Sequence, residues 1–98
     1  MLTHNKITKV VGEIAPKYGI NSVYLFGSYA RGDATSNSDC DLRIEGGNIR
    51  SLFDLSGLHL DLKEALGTEI NIVLTKNIKP EFQSEIKGEE VLIYAEAR

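Results

Sequence analysis

The sequence has very little cysteine and no long apolar run, and both absences limit what the chain can be. Its one cysteine, Cys40, excludes a disulfide within the chain and is typical of a reducing compartment. No stretch approaches the roughly 20 apolar residues that a membrane-spanning helix requires. The first residues also lack the apolar segment of a secretory signal. We therefore expect a cytoplasmic protein that does not enter a membrane.

Basic residues are also scarce, and they do not cluster. Lysine and arginine number 11 against 14 acidic residues, which gives a formal net charge of −3 at pH 7. The sequence contains no basic run and no stripe of lysine and arginine. Proteins that bind nucleic acid on their own usually carry a basic patch that neutralises phosphates. We therefore expect no autonomous binding to DNA or RNA.

The composition is sufficient for one compact domain. Hydrophobic residues make up 42% of the 98 positions, which is typical of a small soluble domain. The chain shows no internal repeat, no low-complexity tract and no linker. Residues 1–98 are therefore predicted to form a single domain, too small to include a second lobe for a large acceptor.

Apolar periodicity predicts helices that alternate with strands. The helices are predicted near residues 4–18, 29–31, 51–66 and 80–88, and the strands near residues 22–26, 39–45, 69–74 and 91–94. About a dozen residues link the first two strands, so no full crossover helix is needed and these strands can run antiparallel. The expected fold class is α+β, in an α/β-type sandwich: a mixed sheet of three to four strands with helices packed against it.

Three residues are expected to shape the helices. Thr3 can cap the start of the first helix, and Pro16 is expected to tighten or kink its last turn. Gly57 is expected to weaken the helix at residues 51–66, because glycine lowers helix stability in the interior of a helix.

The first candidate functional feature is a glycine–serine turn. Gly27 and Ser28 directly follow the apolar strand that ends at Phe26. Such a turn can offer backbone N–H groups and a hydroxyl to phosphate oxygens, and glycine permits close approach of the backbone. Arg31 could neutralise phosphate charge, but an ordinary exposed arginine at the end of a short helix is an equally good interpretation.

The second feature is a pair of aspartates two residues apart. Asp39 and Asp41 open the second strand, and alternate residues of a strand point to the same face. The two carboxylates can therefore share one divalent cation, and Mg²⁺ favours one or two carboxylates together with substrate phosphates. Cys40, between them, is expected to face the core. A phosphate-binding turn plus a metal-binding pair is the minimum that phosphoryl or nucleotidyl transfer requires.

Together these residues resemble the minimal nucleotidyltransferases of the polymerase-beta-like superfamily. The matching residues are Gly27-Ser28, a spacing of ten residues, and Asp39-x-Asp41, with Leu25-Phe26 before the glycine, Tyr29-Ala30-Arg31-Gly32 after the serine, and Ser38 before the first aspartate. The later helix, the third strand and the C-terminal apolar segment follow the same pattern. The resemblance therefore covers nearly the whole chain.

The resemblance implies a nucleotidyltransferase fold and a specific activity. Such domains bind a nucleoside triphosphate with Mg²⁺ or Mn²⁺. Small members are usually antitoxins of a HEPN-domain toxin, and active members attach AMP from ATP to a toxin tyrosine. Asp39 and Asp41 would then be catalytic and bind metal. Gly27, Ser28 and Arg31 would bind the nucleotide.

The chain departs from the family pattern in its third strand. The family has a third carboxylate there, and the matching catalytic position in this chain is Asn71. An asparagine carbonyl can ligate a cation weakly, but it cannot accept a hydroxyl proton at neutral pH. Glu69, two residues earlier on the same face, is the nearby carboxylate that could compensate, although its axial offset is about 6–7 Å.

This departure leaves more than one function open. The chain is predicted to be an adenylyltransferase antitoxin. Alternatively, it is a catalytically impaired binding module that neutralises a HEPN partner by complex formation, because Asn71 replaces the third carboxylate. A third interpretation is a nucleotidyltransferase of the antibiotic-modifying type. Those enzymes generally need additional helices to hold the acceptor, and this sequence encodes none.

Overall fold

The computed structural model describes residues 2–81 and 90–96. In chain order, these residues form α1 (His4–Ile14), a 3₁₀ helix (Ala15–Tyr18), β1 (Ile20–Phe26), α2 (Ser28–Arg31), β2 (Cys40–Gly46), α3 (Leu52–Leu66), β3 (Ile70–Leu74), a second 3₁₀ helix (Thr75–Asn77) and β4 (Val91–Ala95). No helix in this described part is both long and apolar enough to cross a membrane.

The four strands form one mixed sheet in the order β3-β2-β1-β4. β1 runs antiparallel to both β2 and β4, whereas β2 and β3 run parallel. The predicted mixed sheet and the antiparallel first pair are both confirmed. The parallel pair is possible because α3 supplies the crossover between β2 and β3. This arrangement places β2, which contains Asp41 and begins directly after Asp39, between two neighbouring strands.

Most predicted boundaries agree with the structure, with two differences in the first third of the chain. β1 starts at Ile20 rather than at residue 22, because Ile20 pairs with Gly46 across the sheet. The first helix is α-helical only to Ile14 and continues as a 3₁₀ helix that contains Pro16. The expected tightening of the last turn is therefore confirmed. The helix predicted at residues 80–88 lies largely outside the described residues.

The core lies between one face of the sheet and the two long helices. Most of the buried apolar side chains come from α1, α3 and the strands: Ile7, Val10, Val11 and Ile14; Leu58, Leu62 and Leu66; Ile20, Val23, Leu25, Cys40, Leu42, Ile44, Ile70 and Leu74. Cys40 is fully buried, as expected, and burial raises the pKa of its thiol to about 12. The thiol is therefore protonated at neutral pH and serves as a small apolar side chain.

Gly57 in α3 makes room for a tyrosine. The hydroxyl of Tyr18 donates a 2.7 Å hydrogen bond to Asp61 Oδ2, which joins the end of the first helical segment to α3. A β-carbon on Gly57 would lie 3.1 Å from the Tyr18 hydroxyl oxygen, closer than ordinary contact. The helix-weakening glycine expected from the sequence therefore has a packing reason.

A buried arginine in the middle of β2, Arg43, links this strand to Glu90 and Thr75. Arg43 is 4% exposed, and its guanidinium donates two hydrogen bonds to the carboxylate of Glu90, at 2.8 and 2.6 Å. It also donates to Glu45 and Thr75, each at 2.6 Å, and lies 4.1 Å from the ring centroid of Tyr24. These contacts hold Glu90, the residue directly before β4, against the sheet. The local sequence pattern does not indicate this role of Arg43.

We predict that replacing Gly57 by alanine affects stability differently with and without the Tyr18 hydroxyl. In a Tyr18→Phe background, Gly57→Ala should stabilise the protein by about 0.5–1 kcal/mol, the usual helix preference for alanine. In the native background this gain should be reduced or lost, because the new methyl group displaces the hydroxyl from Asp61. Urea unfolding of the four proteins measures the coupling. An equal gain in both backgrounds would contradict the packing role.

Candidate active site

The turn after β1 has a backbone conformation that favours glycine. Gly27 has φ 73° and ψ −153°, a region that residues with a β-carbon rarely occupy. Ser28 starts the short helix α2, whose Arg31 N–H donates to the Gly27 carbonyl at 3.0 Å. The first N–H groups of a helix have no partner within the helix. A phosphate oxygen could accept hydrogen bonds from Ser28 and the following backbone N–H groups, and this role stays a prediction.

Asp41 lies directly beside this turn. In the antiparallel pairing of β1 with β2, Asp41 is opposite Phe26, the residue before Gly27. A β-carbon placed on Gly27 would overlap Asp41 Oδ2. The glycine is therefore needed for two reasons, its dihedral angles and the space that the carboxylate occupies. The Asp41 carboxylate therefore lies next to the glycine–serine turn.

Asn71 joins the two aspartates. The parallel register sets Asn71 opposite Asp41 across β2 and β3. Its side-chain Nδ2 donates to Asp39 Oδ2 at 3.2 Å and to Asp41 Oδ1 at 2.9 Å. The three side chains that the resemblance assigned to catalysis therefore meet at one place, next to Gly27. Their catalytic and metal-binding roles stay predictions.

The two carboxylates carry a local excess of negative charge. The ion pairs recorded for residues 2–81 and 90–96 join other groups, and none of them includes Asp39 or Asp41. The donor that faces both carboxylates in this part of the chain is the neutral amide of Asn71. A pair of neighbouring carboxylates without a cationic partner attracts a positive ion.

Arg31 is the last residue of α2, four positions after Gly27, and it pairs with Asp33. Its Nε is 3.2 Å from Asp33 Oδ2, and both side chains are largely exposed. The Asp33 N–H donates to the Ser28 carbonyl at 3.1 Å, which stabilises the loop after α2. Contact between Arg31 and a nucleotide stays a prediction.

Glu69 does not take the place of the missing carboxylate. Its Oε1 lies 2.6 Å from Lys63 Nζ, in an exposed ion pair with α3. The hydrogen bond from Lys63 also lowers the pKa of Glu69. The side chain is therefore directed towards the helix, and the alternative in which Glu69 compensates for Asn71 is not supported by its position.

The donor set at the site fits a hard divalent cation. Asp39 and Asp41 offer carboxylate oxygens, and Asn71 could offer its amide oxygen. Mg²⁺ and Mn²⁺ bind such oxygens and keep coordination positions for water and substrate phosphates. Within the described ranges, no group of three His, Cys, Asp or Glu side chains is arranged to hold a metal ion. The metal-binding role of the aspartate pair stays a prediction that rests on its oxygen donors.

Comparison with known sequences gives the same type of domain. The sequence model of a family described as "Polymerase beta, Nucleotidyltransferase" matches residues 6–98. The chain is 36% identical over 87 residues to "Putative protein adenylyltransferase MJ0435" of Methanocaldococcus jannaschii, covering 89% of this chain and 94% of that protein. It is 28% identical over 97 residues to "Protein adenylyltransferase MntA" of Thermococcus cleftensis, covering 95% of this chain and 98% of that protein.

Comparison with solved structures shows the same fold. A crystal structure of a toxin–antitoxin with AMP-PNP matches with a TM-score of 0.75 and 24% identity, over 97% of this chain and 75% of that one. A structure of a tri-AMPylated Shewanella oneidensis HEPN toxin in complex with MNT antitoxin matches with a TM-score of 0.65 and 20% identity, over 95% of this chain and 70% of that one.

We predict that Gly27→Ala removes cation-dependent nucleotide binding. The new β-carbon displaces the Asp41 carboxylate, so binding of a non-hydrolysable ATP analogue with Mn²⁺ should weaken by at least about tenfold, as when groups that orient metal ligands are lost. Isothermal titration calorimetry measures this. Gly32→Ala is the matched control, because Gly32 also has a positive φ, 82°, but a β-carbon there meets no atom within 4 Å. Equal binding by both variants would contradict the proposed site.

Proposed function

Because this chain belongs to the polymerase beta nucleotidyltransferase family, we propose that it is an antitoxin that transfers AMP from ATP to a tyrosine of a HEPN-domain toxin, with Mg²⁺ or Mn²⁺ bound. The observation that carries the proposal is the contact of Asp41 with Gly27, which brings the aspartate pair to the glycine–serine turn. The proposal is also supported by relatives named protein adenylyltransferase.

The side chains at the site would have separate roles in this reaction. Ser28 and the backbone after Gly27 would bind the triphosphate, and Asp39 and Asp41 would hold the cation. A bound cation offsets phosphate charge and orients the α-phosphate. The tyrosine oxygen attacks the α-phosphorus, a new P–O bond forms, and pyrophosphate leaves. The hydroxyl proton passes to a carboxylate oxygen or to water, because the neutral Asn71 amide cannot accept it.

A protein acceptor accounts for the small size of the chain. The partner brings the tyrosine and the surface around it, so no acceptor lobe is required. Structures of toxin–antitoxin complexes have the same fold as this chain, and one of them contains an AMPylated HEPN toxin. On α3, Leu52 and Phe53 are 80% and 89% exposed, which fits a chain that contacts another protein.

A cytoplasmic location is part of the proposal. The buried, unpaired Cys40 suits a reducing compartment, and the reaction consumes ATP. The absence of autonomous DNA or RNA binding stays a prediction.

We predict that the adjacent gene encodes a HEPN-domain toxin, and that this toxin gains AMP when both proteins are incubated with ATP and Mg²⁺ or Mn²⁺. Intact-protein mass spectrometry should show added AMP units on a toxin tyrosine. Asp39→Asn combined with Asp41→Asn should abolish the transfer, because the cation loses both charged ligands. Glu13→Gln combined with Glu64→Gln is the matched control, since it removes the same charge from exposed helical positions. Transfer that survives loss of both aspartates would refute the mechanism.

A binding module without catalysis is the second candidate, and Asn71 is the observation that favours it. The residue occupies the position of the third carboxylate but donates hydrogen bonds to the remaining two. A chain of this kind would neutralise its partner by forming a stable complex.

The variant Asn71→Asp separates the two candidates. If the native protein is an impaired enzyme, the complex forms without a mass increase, and Asn71→Asp should create or strongly raise AMP transfer by restoring a proton acceptor. If the native protein is the enzyme that we propose, it transfers AMP without this change. Single-turnover transfer, followed by mass spectrometry beside size-exclusion chromatography of the complex, makes the distinction.

A further inference from the structure

We propose that Asn71 is a displaceable amide bridge: it holds Asp39 and Asp41 together in the cation-free protein and makes the site favour a cation that arrives with a triphosphate over a free one. This inference rests on the metal site of the proposed function. It concerns binding and stability, not the transfer step.

The bridge uses both hydrogens of one amide nitrogen. Nδ2 of Asn71 donates to Asp39 Oδ2 at 3.2 Å and to Asp41 Oδ1 at 2.9 Å. Only the nitrogen of the amide can face two carboxylates, because Oδ1 has no hydrogen to donate and would be repelled. The bridge therefore offsets part of the repulsion between two like charges when no cation is present.

The bridge and a shared cation exclude each other. A divalent ion between Asp39 and Asp41 would approach the same carboxylate oxygens that the amide hydrogens now contact. Asn71 is exposed, and the terminal torsion of asparagine is broad, so the amide can rotate. Rotation exchanges Nδ2 for Oδ1, which could then serve as a neutral oxygen ligand.

The position of Asn71 is set by the pairing of β3 with β2. Asn71 lies opposite Asp41 in the parallel register of β2 with β3. Its neighbours in β3, Ile70 and Ile72, pack towards the helices and hold the strand in place. The amide can thus rotate about its terminal torsion while strand pairing holds the backbone of Asn71, which a reversible contact requires.

Charge determines which cation the site favours. With an asparagine at position 71, the side chains at positions 39, 41 and 71 together carry two negative charges. A carboxylate at position 71 would raise this to three. A free divalent cation is attracted less by two charges than by three. A triphosphate that carries one divalent cation is itself negative, so it is repelled less by two charges than by three. Asn71 therefore shifts the preference from the free ion to the ion bound to nucleotide.

The test compares the native protein with Asn71→Asp, Asn71→Ala and the control Asn77→Asp. Asn77 is exposed at the other end of β3, so its variant adds the same charge away from the aspartate pair. Thermal unfolding is measured in EDTA and with Mn²⁺. Binding of Mn²⁺ is measured by electron paramagnetic resonance, with and without a non-hydrolysable ATP analogue.

We predict that Asn71→Asp lowers the midpoint of thermal unfolding in EDTA by about 5 °C or more, and that Mn²⁺ restores it, because a third carboxylate replaces the bridge with repulsion. Free Mn²⁺ should bind this variant at least about tenfold more tightly than it binds the native protein, since the charge of the ligands sets the affinity. Asn71→Ala should lower the midpoint in EDTA by a smaller amount and should not tighten Mn²⁺ binding. For the native protein, the nucleotide analogue should strengthen Mn²⁺ binding markedly.

Two results would overturn the inference. One is that Asn71→Asp has the same unfolding midpoint in EDTA and the same affinity for free Mn²⁺ as the native protein. The same conclusion follows if Asn71→Asp cannot be distinguished from the control Asn77→Asp in these two measurements. The other is an Asn71→Ala variant with an unchanged midpoint in EDTA. Neither readout requires the toxin or AMP transfer. If transfer fails while these shifts appear, the proposed activity is wrong and the bridge stands. If transfer occurs without them, the bridge is wrong.

Discussion

Electrostatic repulsion between two carboxylates on one strand face is the constraint on which the site depends. Asp39 and Asp41 can face the same way because Cys40, between them, is directed into the core and fully buried. Asp41 pairs with Phe26 of β1 and with Asn71 of β3, and Cys40 pairs with Ile70, so the backbone is held at Asp41 and directly after Asp39. The fold thus holds like charges together, and a donor or a cation must offset the repulsion.

Arg43, the arginine on the same face of β2 as Asp41, is paired with residues other than the two aspartates. Arg43 is two residues beyond Asp41 and on the same face of the strand, so it could have neutralised the site. Its guanidinium is instead bound by Glu90, Glu45 and Thr75. The hydrogen bonds with Glu90 raise the pKa of Arg43 above its ordinary value. The positive charge of Arg43 is therefore held beside Glu90 and Glu45. The negative charge of the aspartates therefore remains available to a divalent ion.

The sequence predicted the parts that depend on local pattern. Strand alternation placed Cys40 inside and the two aspartates outside, and the glycine–serine turn was located because it follows an apolar strand. Contacts between distant residues could not be predicted in this way. The pairing of Arg43 with Glu90 spans 47 positions, and the direction of Glu69 depends on Lys63 in the preceding helix. The amide bridge of Asn71 required the parallel register, which pattern alone does not fix.

The chemistry of phosphoryl and nucleotidyl transfer indicates why a domain could keep two carboxylates and lose the third. These transition states are loose in most analyses, with charge spread over phosphate oxygens and modest bonding to the incoming hydroxyl. Positioning and charge compensation then matter more than early removal of the hydroxyl proton. In the proposed reaction, Asp39 and Asp41 would provide the charge compensation through a cation, whereas a carboxylate at the third position would act on proton transfer and on a second ion. An amide at that position would remove the proton acceptor but leave the proposed cation-binding pair intact, and its hydrogen bonds to both aspartates would hold the pair until the triphosphate arrives.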